Sequence, residues 1–448
     1  MGFSIRTSKF RHVFCDAPKP EETWTGMRLS TVTGDQQYIK ASSKYFVVAL
    51  QGGGGPMCVG RLDRPGRFDQ GTSPVVHGHK GSVLDFDFNP FDDTMFASAS
   101  EDTTIKVWGI PDEWEPTDDQ GLFKAGENLT ESLTDLVGHK KKVTLLRYHP
   151  TASNILLSTS ADSTVKTWDV EKGEAITSID VPDLTQDIVW DHKGDAYATS
   201  CKDKNVRICD ARSASVSISI ESAHEGRKST KLAFLGESTK FLTSGASKTS
   251  SREIKIWDLK NLSKPLCTET VDTASGALIP LYDQDTNVIY LCGKGDGQIR
   301  LFEFEDKAPY LHKLNDGYRT TKPTKGICLL PKRGLNVMKH ETARLLKLTN
   351  NSGVHPLSFY VPRKSDAFQD DIFPDCAAPS HAHSGDQWFS GSSKNPVTMP
   401  LNPALSGGKA VKKKSFKTVS SLSKELDEAN KRIQYLETKL TENNIAFD

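Results

Sequence analysis

One recurring pair of signals constrains this chain more than any other feature. Gly78-His79 and Gly138-His139 are each followed, 30 residues after the glycine, by a tryptophan: Val107-Trp108-Gly109 and Thr167-Trp168-Asp169. The same terminal element returns as Ile208-Cys209-Asp210, Ile256-Trp257-Asp258 and Leu301-Phe302-Glu303, at steps of 41, 48 and 45 residues. Steps of roughly 40 to 45 residues are those of a propeller blade, a four-stranded sheet that buries its faces only against neighbouring copies. The longer step of 60 residues between the first two units marks an insertion, Pro111 to Thr134, whose Pro, Asp, Glu and Gly content predicts an exposed loop.

Within the units an Asp stands six residues before the tryptophan position (Asp102, Asp162, Asp203, Asp296), and a small residue stands four before each Asp (Ser98, Ser158, Thr199, Cys292). Runs such as Thr104-Ile105-Lys106-Val107-Trp108 alternate as half-buried strands do. The units resemble WD repeats, and that resemblance implies two buried tetrads: His79, Ser98, Asp102 and Trp108, then His139, Ser158, Asp162 and Trp168. A buried polar group left unpaired costs about 1–3 kcal/mol, so each member of such a set satisfies the next. A catalytic reading of His, Ser and Asp fails because the set repeats with the blades, as architecture does.

Other units depart from the pattern. The third has Cys209 for tryptophan and no Gly-His; the fourth has Ala223-His224 but Ser251 where Asp is expected; the fifth ends on Phe302. Those blades are expected to rely on apolar packing. Two degenerate stretches, Tyr38 to Val59 and Thr324 to Leu357, complete a count of seven. The expected fold is all-β, a seven-bladed WD-repeat β-propeller over 1–357, whose closure removes open sheet edges. An extension packed on the propeller (358–390), a flexible basic linker (391–420) and a coiled-coil helix (421–448) follow.

Composition limits function mainly by exclusion. With 57 basic and 57 acidic residues the chain has no overall field toward polyanions, so no nucleic-acid partner is expected and any electrostatic function must be local. Mean hydropathy is -0.47, no apolar run approaches a membrane span, and the first residues lack the apolar stretch of a secretory signal; a cytoplasmic protein is expected. The eight cysteines form no C-x-x-C pair, and no metal cluster or phosphate-cradling loop is present, so neither cofactor nor enzymatic activity is expected. His381 and His383 are expected in an exposed loop.

Four segments narrow the choice among propellers: Ser8-Lys9-Phe10-Arg11-His12-Val13-Phe14, Asp272-Thr273-Ala274-Ser275-Gly276 with Tyr290 to Asp296, Pro331-Lys332-Arg333-Gly334-Leu335, and Arg363 to Pro374. They resemble the coronins, from about Ser8 to Trp388 and again in the C-terminal helix. The resemblance implies binding to filamentous actin, cooperation with the branched-actin nucleating complex and with cofilin, and residence in the actin-rich cortex. It also implies that Arg28, in Met27-Arg28-Leu29-Ser30, is the arginine needed for the filament, with Lys9 and Arg11 as further candidates. An arginine fork suits an acidic protein surface because it holds a carboxylate bidentately. Lys332, Arg333, Arg363 and Lys364 either extend a basic face or belong to an arm, Val361 to Pro374, whose charges pair with blade loops. A generic WD-repeat scaffold, not specific for actin, is the rival reading.

From Gln387 to Lys424 there is no acidic residue but seven lysines, the signature of a cationic tether able to touch acidic protein or anionic lipid weakly. Beyond it, Leu426, Ile433 and Leu440 take heptad position a, and Ala429 and Leu436 position d. Arg432-Ile433-Gln434-Tyr435-Leu436-Glu437 resembles the pattern of short parallel trimeric coils, with Arg432 and Glu437 bridging chains. So short a helix is marginal alone, which predicts a homo-oligomer, a trimer ahead of dimer or tetramer.

Overall fold

In the computed structural model, residues 7–69, 73–111, 114, 128–350, 353–405 and 419–442 are described. Most of the predicted insertion loop and residues 406–418 of the predicted linker lie outside them. Seven sheets form a ring. Blade 2 is representative: Val83–Phe88, Met95–Ser100, Ile105–Gly109 and Thr134–Leu136 pair antiparallel in order, from the channel outward. Blades 3, 4 and 5 repeat this plan with strands from Val143, Thr185 and Lys231 onward, and blade 6 adds Tyr318–Arg319 to its third strand.

Blade 7 closes the ring. Its strands Thr324–Leu329, Glu341–Thr349 and Gly353–Tyr360 come from the end of the propeller, but its outer edge is the N-terminal chain. Phe14 pairs with Tyr360 at one end of the last strand and Trp24 with Val354 near the other. The last strand thus runs three residues past the predicted propeller boundary. Blade 1, Ile39–Ala41, Tyr45–Ala49 and Met57–Arg61, follows directly.

The core lies between blades. Tyr45, Val47 and Met57 of blade 1 pack on Phe86, Phe96 and Trp108 of blade 2, and Ala97 and Val107 of blade 2 pack on Leu146, Leu156 and Trp168 of blade 3. Alternating strands supply both faces of every sheet with apolar residues, so each blade is covered only when its neighbours are present.

The two predicted tetrads form as read. His79 is 2.9 Å from Asp102 through Nδ1 and 2.7 Å from Ser98 Oγ through Nε2, and Trp108 Nε1 donates to Ser98 at 2.8 Å. In blade 3 the distances are 3.1, 2.8 and 2.8 Å for His139–Asp162, His139–Ser158 and Trp168–Ser158. Burial works to raise the Asp162 carboxyl, but hydrogen bonds from Thr164, Lys140 N–H and His139 outweigh it and hold it down at about 2.

The expectation for the fourth unit is corrected. Blade 5 carries a third complete tetrad: His224 Nδ1 to Glu253 at 2.9 Å, Nε2 to Thr243 Oγ1 at 2.9 Å, and Trp257 Nε1 to Thr243 at 2.9 Å. The turn before Trp257 is longer here, and the acceptor comes from the strand Arg252–Asp258, where a glutamate's extra methylene lets it reach back. Blade 4 has no such set: its Thr199 hydroxyl is buried without a partner among the described residues, and Asp203 turns to Arg207 Nη2 at 2.5 Å.

Candidate functional site

Every blade turn that carries a tetrad histidine opens on one rim of the ring, and Arg28 stands on that rim. Its carbonyl accepts from Gln51 N–H at 2.8 Å, and Leu29 bridges to Leu50. The turn after Gln51 meets the His79 turn, because Gly54 accepts from Gly78 N–H at 3.4 Å. The Arg28 side chain is exposed. So are Lys80, Lys140, Lys141, Lys142, Lys202, Lys204 and Arg227, all in turns at this end of the strands, against Glu101, Glu221 and Glu225. An overall neutral chain has therefore concentrated cations on one face.

The opposite face holds an acidic groove. It has a volume of about 820 Å³ and is lined by Glu237, Asp285, Glu303, Glu305 and Asp306, with His192 beside Glu237 at 3.3 Å. Burial and the neighbouring Asp283 push the Asp285 carboxyl up to about 7.

Lys9 and Arg11 do not join Arg28. They precede Phe14, at the Tyr360 end of the closing strand, whereas Trp24 pairs near its start; six residues of extended chain, about 20 Å, separate the two pairings. Lys9 Nζ donates to the Asp371 carbonyl at 2.9 Å, while Phe10 and Val13 are buried between blades 6 and 7. Lys9 is thus a tie between the N-terminal segment and the C-terminal arm. Arg11 is exposed on that same side.

The arm crosses this opposite face. Its anchors are apolar: Ile372 and Phe373 enter the core of blades 6 and 7, and Trp388 is wholly buried between blades 3 and 4. The predicted pairing of its charges with blade loops is corrected, since Arg363 pairs with Asp371 inside the arm at 2.6 Å. Lys332 is buried against Asp283, and Arg333 reaches Asp93 at 2.7 Å, so neither extends a basic face. The helix α1, Gly385–Phe389, is capped by Ser384 and Gln387 in a reciprocal box. Arg212 lies 4.8 Å over the Trp388 ring and donates to the Trp388 and Ser392 carbonyls at 2.7 and 2.8 Å.

His383, expected in solvent, is buried beside this anchor. Thr151 Oγ1 lies 3.1 Å from its Nε2 and Ser392 Oγ 3.0 Å from its Nδ1. His149 stands between Trp190 and Trp388, with ring centroids 4.7 and 4.8 Å away. Its Nδ1 accepts from the Thr151 and Ala152 N–H groups at 3.1 and 2.8 Å, so Nε2 carries the proton and donates to the Gly194 carbonyl at 2.9 Å. Burial pushes this histidine down to about 3. His381 remains exposed, edge-on to Phe91.

Comparison with known proteins places these parts in one lineage. A domain of unknown function (DUF1899) matches residues 3–67, the WD domain, G-beta repeat, matches 72–109 and 130–169, and a further type of WD40 repeat matches 354–396. Coronin-like protein crn1 of Schizosaccharomyces pombe is 36% identical over 434 residues, covering 96% of this chain and 70% of that protein. Human Coronin-2A is 37% identical over 406 residues, covering 89% and 75%. The chain belongs to the coronin family. The solved WD40 domain of Toxoplasma gondii coronin superposes with a TM-score of 0.81 at 31% identity, covering 88% of this chain and 98% of that one. The coronin propeller here is thus continuous with its arm: the last family match runs from the closing strand through His383 and Trp388.

Residues 391–401, read as the start of the coronin linker, lie against the blades. Cys376–Ala377 pairs with Thr398–Met399, Ser393 donates to Asp195, and Asn395 donates to Glu237 at 2.8 Å. The helix α2, Val419–Glu442, follows the undescribed 406–418. On it Leu426, Ile433 and Leu436 are 61, 52 and 44% exposed, and Ala429, Arg432 and Glu437 are exposed with them. The side chain of Leu440 lies outside the described residues.

Proposed function

We propose that the chain binds actin filaments through the Arg28 face, and that α2 joins several copies so that one assembly holds several filament sites. The carrying observation is coronin-family membership combined with an exposed Arg28 on a rim rich in lysine. A guanidinium at such a contact is an anchor whose removal typically costs about 2 kcal/mol or more. The reading does not need Lys9 or Arg11, since both lie on the opposite face from Arg28.

The helix supports the second half of the proposal. An apolar stripe of leucine and isoleucine is left in water with no stabilising partner among the described residues, and a helix this short needs one. A homotrimer, with Arg432 and Glu437 bridging chains, turns weak single contacts into avidity for a repeating lattice and allows cross-linking or bundling. In the cell the protein works in the cytoplasm at the actin-rich cortex, with the branched-actin nucleating complex and cofilin as further partners and the lysine-rich 409–417 segment touching anionic lipid weakly.

Co-sedimentation with actin filaments tests the reading. The wild type pellets, Arg28→Asp pellets at least tenfold more weakly, and Lys9→Ala pellets like the wild type; a wild type that stays in the supernatant ends the proposal and leaves a generic scaffold. Light-scattering mass gives three chains for the full protein and one without residues 419–448. A single chain in both removes the avidity argument.

A further inference from the structure

The mouth of the central channel, on the Arg28 face, is short of negative charge. Tyr38 is buried there, its hydroxyl donating to the Gly34 carbonyl at 3.0 Å. Lys294 and Lys325 both approach its ring, Nζ lying 4.9 and 5.9 Å from the centroid. Lys325 donates to the Ser30 carbonyl at 2.5 Å and pairs with none of the described carboxylates. Lys294 reaches Asp35 at 3.7 Å, but Asp35 also accepts from the Ser229 hydroxyl. Lys231, buried at the same mouth, donates to the Gln186 carbonyl at 2.7 Å and is 3.8 Å from Asp187, which also pairs with Arg147 at 3.6 Å.

Other carboxylates on this side are taken: Asp85, whose charge reaches Tyr38, pairs with Arg147 at 3.1 Å. Asp272 and Asp296 hold Arg252, at 2.5 and 2.9 Å, and Arg300, at 2.6 and 3.3 Å. Carbonyl groups satisfy the hydrogens of an ammonium without cancelling its charge, so the lysines are hydrogen-bonded yet under-neutralised in a partly desolvated place. Burial lowers both Lys294 and Lys325, and the charge of Lys294 lowers Lys325 further. A cavity of about 90 Å³ adjoins Lys231.

We propose that this mouth binds a polyphosphate group, with Lys231, Lys294 and Lys325 as its ligands. All three are lysines, compact point charges of the kind that gather on phosphate, where a carboxylate would be matched by the planar fork of an arginine. Spread over several phosphates, the ligand's charge supplies what Asp35 and Asp187 do not. The phosphates belong either to a free polyphosphate ester or to a phosphorylated lipid headgroup, and the two arms of the experiment separate these sources.

The readout is melting temperature, because an anion held by the folded mouth raises it while one held by the lysines of 409–417 does not. The full chain is melted with and without tripolyphosphate, and mixed with phosphatidylcholine vesicles that contain phosphatidylinositol bisphosphate. Tripolyphosphate is expected to raise the wild-type midpoint, and the shift is expected to vanish in Lys294→Gln/Lys325→Gln but persist in Lys141→Gln/Lys142→Gln. Lys325→Gln alone, which loses one carbonyl hydrogen bond and a distant approach to the Tyr38 ring, is expected to show at least half the loss if the double variant folds poorly. Vesicle binding that the double variant loses assigns the lipid headgroup; its absence beside a tripolyphosphate shift assigns the free ester. An equal shift in the wild type and both mouth variants, or no shift and no vesicle difference, overturns the proposal.

Discussion

At the scale of single residues, Glu253 shows how a rule holds while its spelling changes. The two regular tetrads place Ser98 and Ser158 19 residues after their histidines, and Thr243 stands 19 after His224. That interval was legible; counting back from Trp257 to Ser251 was misled, because the longer turn moved the acceptor onto the strand. Glu253→Ala leaves the His224 Nδ1–H buried without an acceptor and should lower stability by about 1–3 kcal/mol, while Glu253→Gln keeps an acceptor and should lose less; denaturant midpoints measure both. The histidines also set a pH dependence. Burial lowers His139, His149 and His224 in the folded state, so their contribution is complete above about 6.5 and is lost as the pH falls, when the unfolded chain takes up protons that the fold does not. For His149, held near 3, unfolding titrations between pH 5.5 and 4 should show its share as a loss of about 1.4 kcal/mol per pH unit.

At the scale of elements, the C-terminal arm is where sequence reading fell short. Its charged run, Arg363 to Asp371, drew attention, yet the weight rests on Ile372, Phe373 and Trp388. Hydropathy alone gives no period in so irregular a segment, and a histidine such as His383 carries no mark of burial until its partner Thr151, 232 residues away, is known. Trp388→Ala should cost about 3–5 kcal/mol through the cavity left between blades 3 and 4, and should free residues 384–405 for proteolysis without unfolding the ring. Trp388→Phe should cost much less, since Trp388 Nε1 has no hydrogen-bond partner among the described residues. Mass spectrometry of limited digests separates local release from global unfolding. The blades themselves were the most legible elements, because each repeats one spacing; the degenerate ones, 1 and 7, were readable only as the apolar runs needed to complete a ring.

At the scale of the whole molecule, net charge concealed the most. Fifty-seven charges of each sign cancel in the sequence, but the fold sorts lysines to the Arg28 rim and carboxylates to the groove across from it. No local pattern announces this, since the turns that share a face are a blade apart in sequence. The sorting predicts that the proposed filament binding weakens steeply with salt, by co-sedimentation at 50 and 200 mM, whereas the proposed assembly through α2, resting on leucine and isoleucine, changes little. The ring closure has a further consequence, in time. Trp24 meets Val354, a residue made 330 positions later, and synthesis at about 5–20 residues per second puts their meeting roughly 15 to 70 s apart. Through that interval the nascent N-terminal segment has no strand to join, and blade 1 waits with one face open. The segment made before blade 1 is thus among the last to fold.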